Sequence, residues 1–198
     1  IYGKAGIQFE VSTIKVDIAD SWGTSIETGD SDLLNTYTNG QQTITNNFQT
    51  KLGTSYKTDT YYVLFTKVPS SKPGTLGFMP LKRQFGFVFS QPEDKKLHTL
   101  AHELGHGVFG LQHPFTEYNT TVPTDLLMDY GTGTALNHND WEIMHAPGLQ
   151  LYQFTQGDSE GEFPAWYLIT LFKKLKHARQ TNTIYTFKSS VKGETRIL

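Results

Sequence analysis

The sequence has no cysteine among its 198 residues. This absence excludes disulfide bonds, thiol nucleophiles and zinc sites built from thiolates, although it leaves the cellular compartment undecided. A metal site in this chain would have to use other ligand types, chiefly histidine and carboxylate.

An excess of charge of one sign is also lacking, and so is a long apolar run. The formal net charge is −2 and charged residues make up 18% of the chain. This balance gives no electrostatic reason to expect binding to nucleic acid or to an anionic membrane surface. No stretch approaches the roughly 18 apolar residues of a membrane-spanning helix, and no signal peptide opens the chain. We therefore expect no nucleic-acid partner and no membrane span.

The length and composition that are present fit a single domain, residues 1–198. Chains usually split into several domains only well beyond this size. Hydrophobic residues make up 37% of the chain and aromatic residues 13%, which is enough for a sizeable core. The chain begins at Ile1 rather than at methionine, which suggests a processed or excised piece of a larger protein.

The periodicity of the apolar residues predicts an α/β or α+β domain. Pro80 places the strand around it at a sheet edge, because proline cannot donate to a central ladder. Gly40 weakens the middle of a long first helix. Strands are predicted at residues 7–16, 61–66, 76–81, 85–89 and 183–187, and helices at residues 31–52, 137–144 and 164–180.

One further helix is the best specified by the sequence. It begins near Ser90, because Ser90 and Glu93 have the spacing of a capping box, and Gly110 can end it. An apolar stripe with helical spacing runs between these points. The stripe consists of Leu97, Leu100, Ala101, Leu104 and Val108.

This helix carries a histidine pair with the spacing of a metal site. His102 and His106 are four residues apart, so their rings project from the same helix face, one turn apart, and can meet a single zinc ion. Glu103 is turned away from that face by about 100°, which suits a base that accepts a proton from a metal-held water. The alternative is a pair of ordinary hydrogen-bonded histidines. His98, one turn earlier, is interpreted as an outer or surface histidine.

A site with two histidines needs a third protein ligand. We select His113, because Gly110 lets the chain leave the helix and fold back. A carboxylate from further along the chain would instead give a thermolysin-like site. The alternative carboxylates are Glu117, Asp125 and Glu142.

With these residues in view, the chain resembles the metzincin metallopeptidases, whose signature is H-E-x-x-H-x-x-G-x-x-H. His102, Glu103, His106, Gly110 and His113 match the signature in type and order. Three residues separate the second histidine from the glycine here, where the signature has two. The helix is therefore expected to run one residue further, or to bulge, before it turns.

A second likeness is the segment L-L-M-D-Y, residues 126–130, which resembles the Met-turn of the same family. The resemblance implies that Met128 packs beneath the ligand histidines and that Tyr130 can bind the metal or the oxyanion. The alternatives are an ordinary core methionine and a buried phenol with a local partner. Upstream, residues 77–80 resemble the edge strand along which metzincin substrates lie.

The resemblance also implies an architecture. A small, mixed, mostly parallel sheet with a backing helix and the active-site helix would form an upper subdomain, residues 1–113. Residues 114–198 would form a helical lower subdomain with the Met-turn.

A narrower likeness is to the metallopeptidase toxin domains at the C-termini of bacterial polymorphic toxins. It rests on residues 77–89, 102–113 and 127–134. It implies secretion or delivery to another cell as part of a larger protein, and an immunity or inhibitor protein as partner.

Together these patterns predict a zinc-dependent endopeptidase acting on a protein or peptide substrate. Zn²⁺ would be held by His102, His106 and His113, with Glu103 as general base and Tyr130 in a catalytic role. Two alternatives stay open: a zinc hydrolase of another amide, and a zinc-stabilised binding module without activity.

Overall fold

A computed structural model describes residues 1–18, 22–29, 36–119, 121–145 and 183–191. The chain is a mixed α/β protein with a five-stranded sheet in the order β1-β5-β2-β4-β3. The strands are β1 Ile7–Lys15, β2 Tyr61–Phe65, β3 Gly77–Phe78, β4 Phe85–Val88 and β5 Thr183–Val191.

The prediction of a mostly parallel sheet is wrong. Only β2 and β4 pair in parallel, whereas β1–β5, β5–β2 and β3–β4 are antiparallel. The cause is β5, which returns from the far end of the chain and lies between β1 and β2. A strand from beyond residue 113 is thus part of the sheet, so the predicted boundary at that residue does not separate the sheet from the rest of the chain.

Strand β3 lies at one edge of this sheet, as Pro80 predicted. It is shorter than residues 76–81, because the chain turns immediately after Met79. Arg83 N–H donates to Pro80 O at 3.1 Å, and Lys82 adopts a positive φ of 54° within that turn.

In the described part of the chain, four α-helices accompany the sheet: α1 Asn39–Leu52, α2 Glu93–Leu104, α3 Pro114–Glu117 and α4 His138–His145. Helix α1 is shorter than predicted, because it begins only after Thr38, which caps its N-terminus in a capping box. Thr38 Oγ1 accepts from Gln41 N–H, and the Gln41 side chain accepts from Thr38 N–H. Gly40 therefore lies in the first turn of α1 rather than in its middle. Residues 31–35, which the prediction included, lie outside the described residues.

The predicted capping box of α2 is also wrong. The helix begins at Glu93 after Pro92, and no side chain caps it. Ser90 instead follows β4, where its backbone N–H donates to Val68 O at 3.2 Å. Asn137, by contrast, caps α4, with its Oδ1 accepting from Asp140 N–H at 2.7 Å.

The core consists of two clusters on opposite faces of the sheet. Successive residues of β2 alternate between them, since Val63 belongs to one cluster and Tyr62 and Leu64 to the other. Helix α2 packs on the Val63 face through Leu100 and Leu104, and α1 packs on the opposite face.

The last predicted strand is confirmed and extends to Val191. The predicted helix at residues 164–180 lies outside the described residues. Within the part of the chain that the structure describes, no helix has the length and apolar character needed to cross a membrane.

Candidate metal centre

Helix α2 continues into a π-helical turn, Gly105–Phe109, which carries His106. The chain then leaves the helix at Gly110, whose φ of 74° is the left-handed conformation that glycine tolerates. A π turn contains one more residue than an α turn, so it accommodates the extra residue between His106 and Gly110. The expected bulge is confirmed.

The three histidines His102, His106 and His113 converge on one point. Their Nε2 atoms form a nearly equilateral triangle, with distances of 3.1 Å from His106 to each of the other two and 3.2 Å between His102 and His113. All three rings are buried. They are the one group of histidine, aspartate and glutamate residues in the described chain that could hold a metal ion.

The other ring nitrogens explain why the Nε2 atoms of His102 and His106 offer lone pairs. His102 Nδ1–H donates to Leu127 O at 2.8 Å, and His106 Nδ1–H donates to Leu111 O at 2.6 Å. A neutral imidazole carries one proton, so the Nε2 atoms of both rings are unprotonated. Two lone pairs 3.1 Å apart repel each other unless a cation lies between them. This geometry argues against a pair of ordinary hydrogen-bonded histidines.

The electrostatic setting favours the neutral, ligating form of each ring. Burial lowers the pKa of His102 to about 4 and, with His102 as neighbour, the pKa of His113 to about 3. Burial and the two adjacent rings hold the pKa of His106 well below its usual value. All three rings are thus neutral at pH 7 and ready to bind a cation.

Glu103 lies on the side of the helix that faces the edge strand. Glu103 is 5% exposed, and the backbone N–H of Met79 stabilises the charged form of its carboxyl. Burial raises the pKa of this carboxyl well above its usual value. The strand passes very close, because a β-carbon added at Gly77 would lie 2.6 Å from Glu103 Oε1.

Met128 packs against the helix that carries His102 and His106. It is buried, and a β-carbon added at Gly105 would lie 2.5 Å from its Sδ atom. Asp129 holds the turn, since its carboxylate accepts from Thr124 N–H at 2.6 Å and from Tyr130 N–H at 2.7 Å.

A second methionine supports the same helix, and the sequence analysis did not identify it. Met79 is fully buried, and a β-carbon added at Gly107 would overlap its side chain. It also contacts Gly86 of β4, where an added β-carbon would lie 2.8 Å from its Sδ.

Tyr130 lies over the histidines but is not the buried phenol of the alternative reading. Its side chain is 64% exposed. Its ring centroid is 4.8 Å from that of His113 and 5.1 Å from that of Phe115. Phe115 in turn stacks on His113 at 4.7 Å, so the third histidine is covered by two aromatic rings.

The structure does not bring the alternative ligands to the histidine cluster. Glu117 accepts a hydrogen bond from Asn139, and Glu142 pairs with His138 at 3.1 Å on α4. Asp125 is not in the cluster either. His98 Nε2 lies 2.6 Å from Gly133 O, at the rim of the site.

A cleft of about 390 Å³ opens onto the three histidines, Glu103 and Tyr130. The edge-strand residues Gly77 and Phe78 line one wall, together with the loop that precedes them. The three histidines and Glu103 thus line the same cleft as the edge strand.

No protein-family profile, no curated protein and no solved structure matches this chain. The geometry of its own residues therefore carries the functional argument.

Proposed function

We propose that this chain is a zinc-dependent endopeptidase of the metzincin kind. The observation that carries the proposal is the triangle of three Nε2 atoms 3.1–3.2 Å apart, with the buried carboxylate of Glu103 beside it in an open cleft. Three protein ligands with access from solvent are typical of catalytic rather than structural zinc.

Zinc is the ion that suits this donor set best. Neutral imidazoles are good ligands for Zn²⁺, and three of them with an open fourth position form a common catalytic zinc site. Zn–N bonds of about 2.05 Å in a tetrahedron place the nitrogens about 3.3 Å apart, close to the distances found here. Hard cations such as Mg²⁺ and Ca²⁺ prefer oxygen ligands, which the cluster does not offer.

The chain's residues take distinct roles in peptide hydrolysis. When bound, zinc lowers the pKa of a water molecule and polarises the substrate carbonyl. Glu103 accepts the proton of that water and then returns it to the leaving amine. Its raised pKa favours the proton-holding form between these two steps. Tyr130, on the cleft wall, supplies a hydroxyl for the developing oxyanion, worth about 2–4 kcal/mol by analogy with other oxyanion donors.

The edge strand offers a place for an extended peptide. Phe89 N–H donates to Leu76 O, so in the antiparallel register the next residue, Gly77, directs its N–H and C=O away from β4. A substrate strand can pair with these groups on the cleft side. This placement favours a polypeptide substrate over a small amide.

The decisive experiment compares wild type with Glu103→Gln in zinc content and in cleavage of casein and peptide libraries. We expect the variant to keep one zinc per chain and to lose turnover by about 10²- to 10⁴-fold, because Gln cannot take a proton. His113→Ala serves as the matched control, since it should lose the metal as well. Cleavage by Glu103→Gln at the wild-type rate would contradict the general-base assignment.

The same assays separate the rivals. Internal cuts in protein substrates support the endopeptidase, whereas release of ammonia or cleavage of cell-wall peptides alone supports a hydrolase of another amide. A fourth protein ligand closing the metal site, seen by metal spectroscopy, supports the binding module.

We further propose that the domain acts after secretion or delivery as part of a larger protein, with an immunity or inhibitor protein as partner. The support is the sequence likeness to polymorphic-toxin peptidases. Toxicity of the wild type but not of Glu103→Gln, when each is expressed in the cytoplasm or the periplasm of a test bacterium, is the expected result.

A further inference from the structure

Strand β3 lies so close to Glu103 that a side chain at Gly77 would overlap the Glu103 side chain. A β-carbon at Gly77 would lie 2.6 Å from Glu103 Oε1, 2.7 Å from Glu103 Cγ and 2.7 Å from Thr99 Cγ2. Ordinary contacts between such atoms are about 3.5–4.0 Å. Only glycine at this position lets the backbone reach the carboxylate without moving it.

The segment that contains β3 also contacts the Glu103 carboxylate through the backbone of Met79. Leu76 and Phe78 direct their polar groups toward β4, so those of Gly77 and Met79 point to the open edge. There the Met79 N–H stabilises the charged form of the Glu103 carboxyl. The Gly77 backbone remains directed at the cleft.

Side chains keep this segment in place. Met79 packs between Gly86 of β4 and Gly107 of the π turn, both of which contact it through the space that a β-carbon would fill. Gln91 ties the strand to α2, because its amide donates to Leu76 O at 2.9 Å and accepts from Thr99 Oγ1 at 2.9 Å. The distance between β3 and Glu103 is thus determined at several points.

We propose that Gly77 and Met79 are positioning residues for Glu103, so that the strand which binds the peptide also aims the general base at it. This inference rests on the proposed peptidase function. The Met79 N–H orients the Glu103 carboxylate. Because Gly77 has no side chain, a substrate chain paired with its backbone lies directly beside that carboxylate. The strand register also determines where the peptide pairs. A peptide can pair with the Gly77 backbone but not with the Met79 N–H, which interacts with Glu103.

The test is Gly77→Ala in the full chain, with zinc content, kcat and KM measured on the same peptide. The added methyl must displace the Glu103 side chain, and a displacement of about 1 Å at a catalytic group lowers the rate by about 10²-fold. We expect kcat to fall by that factor, with zinc retained and KM changed by less than about twofold. Gly3→Ala is the matched control, because a methyl there meets nothing within 4 Å.

A rescue variant distinguishes positioning from a general loss of structure. Thr99→Ser removes the Cγ2 atom that the new methyl would meet and gives Glu103 room to return. We expect Gly77→Ala/Thr99→Ser to regain about tenfold in kcat over Gly77→Ala but to stay below wild type, because the added methyl still meets Glu103. If Gly77→Ala does not fold or bind zinc, the double variant decides: zinc-bound protein with reduced kcat supports the proposal, and wild-type kcat overturns it.

Other results overturn the inference without touching the proposed function. Wild-type kcat in Gly77→Ala, or a rise in KM alone, would mean that β3 serves the substrate only. The proposed function fails separately, if wild type binds no zinc or if Glu103→Gln remains active.

Discussion

The site helix, residues 93–109, is contacted on two sides by segments that make similar interactions with different residues. On one side the segment 126–130 contributes Met128 against Gly105 and the Leu127 carbonyl to His102. On the other side the edge strand contributes Met79 against Gly107 and a backbone N–H to Glu103. Each side thus combines a methionine packed on a helix glycine with one backbone hydrogen bond. The first side holds His102 and the second holds Glu103.

Truncating each methionine is the strongest way to break this comparison. Met128→Ala and Met79→Ala both remove a buried side chain, and each should lower the free energy of unfolding by about 2–5 kcal/mol. We expect Met128→Ala to weaken zinc retention against a chelator, and Met79→Ala to lower kcat while zinc stays bound. Chemical denaturation and chelator titration measure the two effects. Met→Leu at each position is the control, with a loss below about 1.5 kcal/mol. If both alanine variants changed zinc retention and kcat by the same amounts, the proposed difference between the two sides of the helix would be wrong.

Adding a methyl to each glycine is a smaller change in the same contacts. Gly105→Ala meets Met128 Sδ and Gly107→Ala meets Met79, and overpacking of this kind destabilises by about 1–3 kcal/mol. We expect Gly105→Ala to affect zinc affinity more and Gly107→Ala to affect kcat more. If both variants lose zinc equally, the π turn responds as one unit and the two sides are not separable.

The pH dependence of the stability of the metal-free protein is the smallest expected effect, and it separates the histidines from Glu103. The histidine pKa values are lowered by folding, so their contribution is complete above about pH 6.5 and is lost as pH falls toward 3–4. The Glu103 pKa is raised, so its contribution is complete below about pH 4.5 and is lost as pH rises. Thermal melts of chelated wild type and Glu103→Gln should therefore coincide near pH 4, with the variant more stable at pH 8. A constant difference across this range would contradict the burial of the carboxylate.

The sequence predicted the parts of the site that depend on local spacing. His102 and His106 follow from a helical period, and the bulge follows from one extra residue before Gly110. The convergence of His113 agreed with the choice made from the chain reversal at that glycine. These features lie within a few turns of one helix, where backbone geometry alone restricts the outcome.

The rest depended on contacts between distant segments. The carbonyls of Leu127 and Leu111 orient two histidines, but a backbone carbonyl leaves no mark in the residue type. Gly77 and Met79 have one sequence signal, a glycine within an edge strand, which can mark the close approach of another chain segment. The start of α1 was misjudged because Thr38 and Gln41 form a capping box inside a longer apolar pattern.

The position of β5 has a consequence for how this protein reaches its native state. The pairing of Ile7 with Val191 joins nearly the two ends of the described chain, and β2 meets β1 only through β5. Non-local pairings of this kind slow folding, because a long loop must close before they form. During synthesis the sheet beneath the site helix therefore stays incomplete until β5 has emerged, so the three histidines lie on a complete sheet only after that strand has been translated.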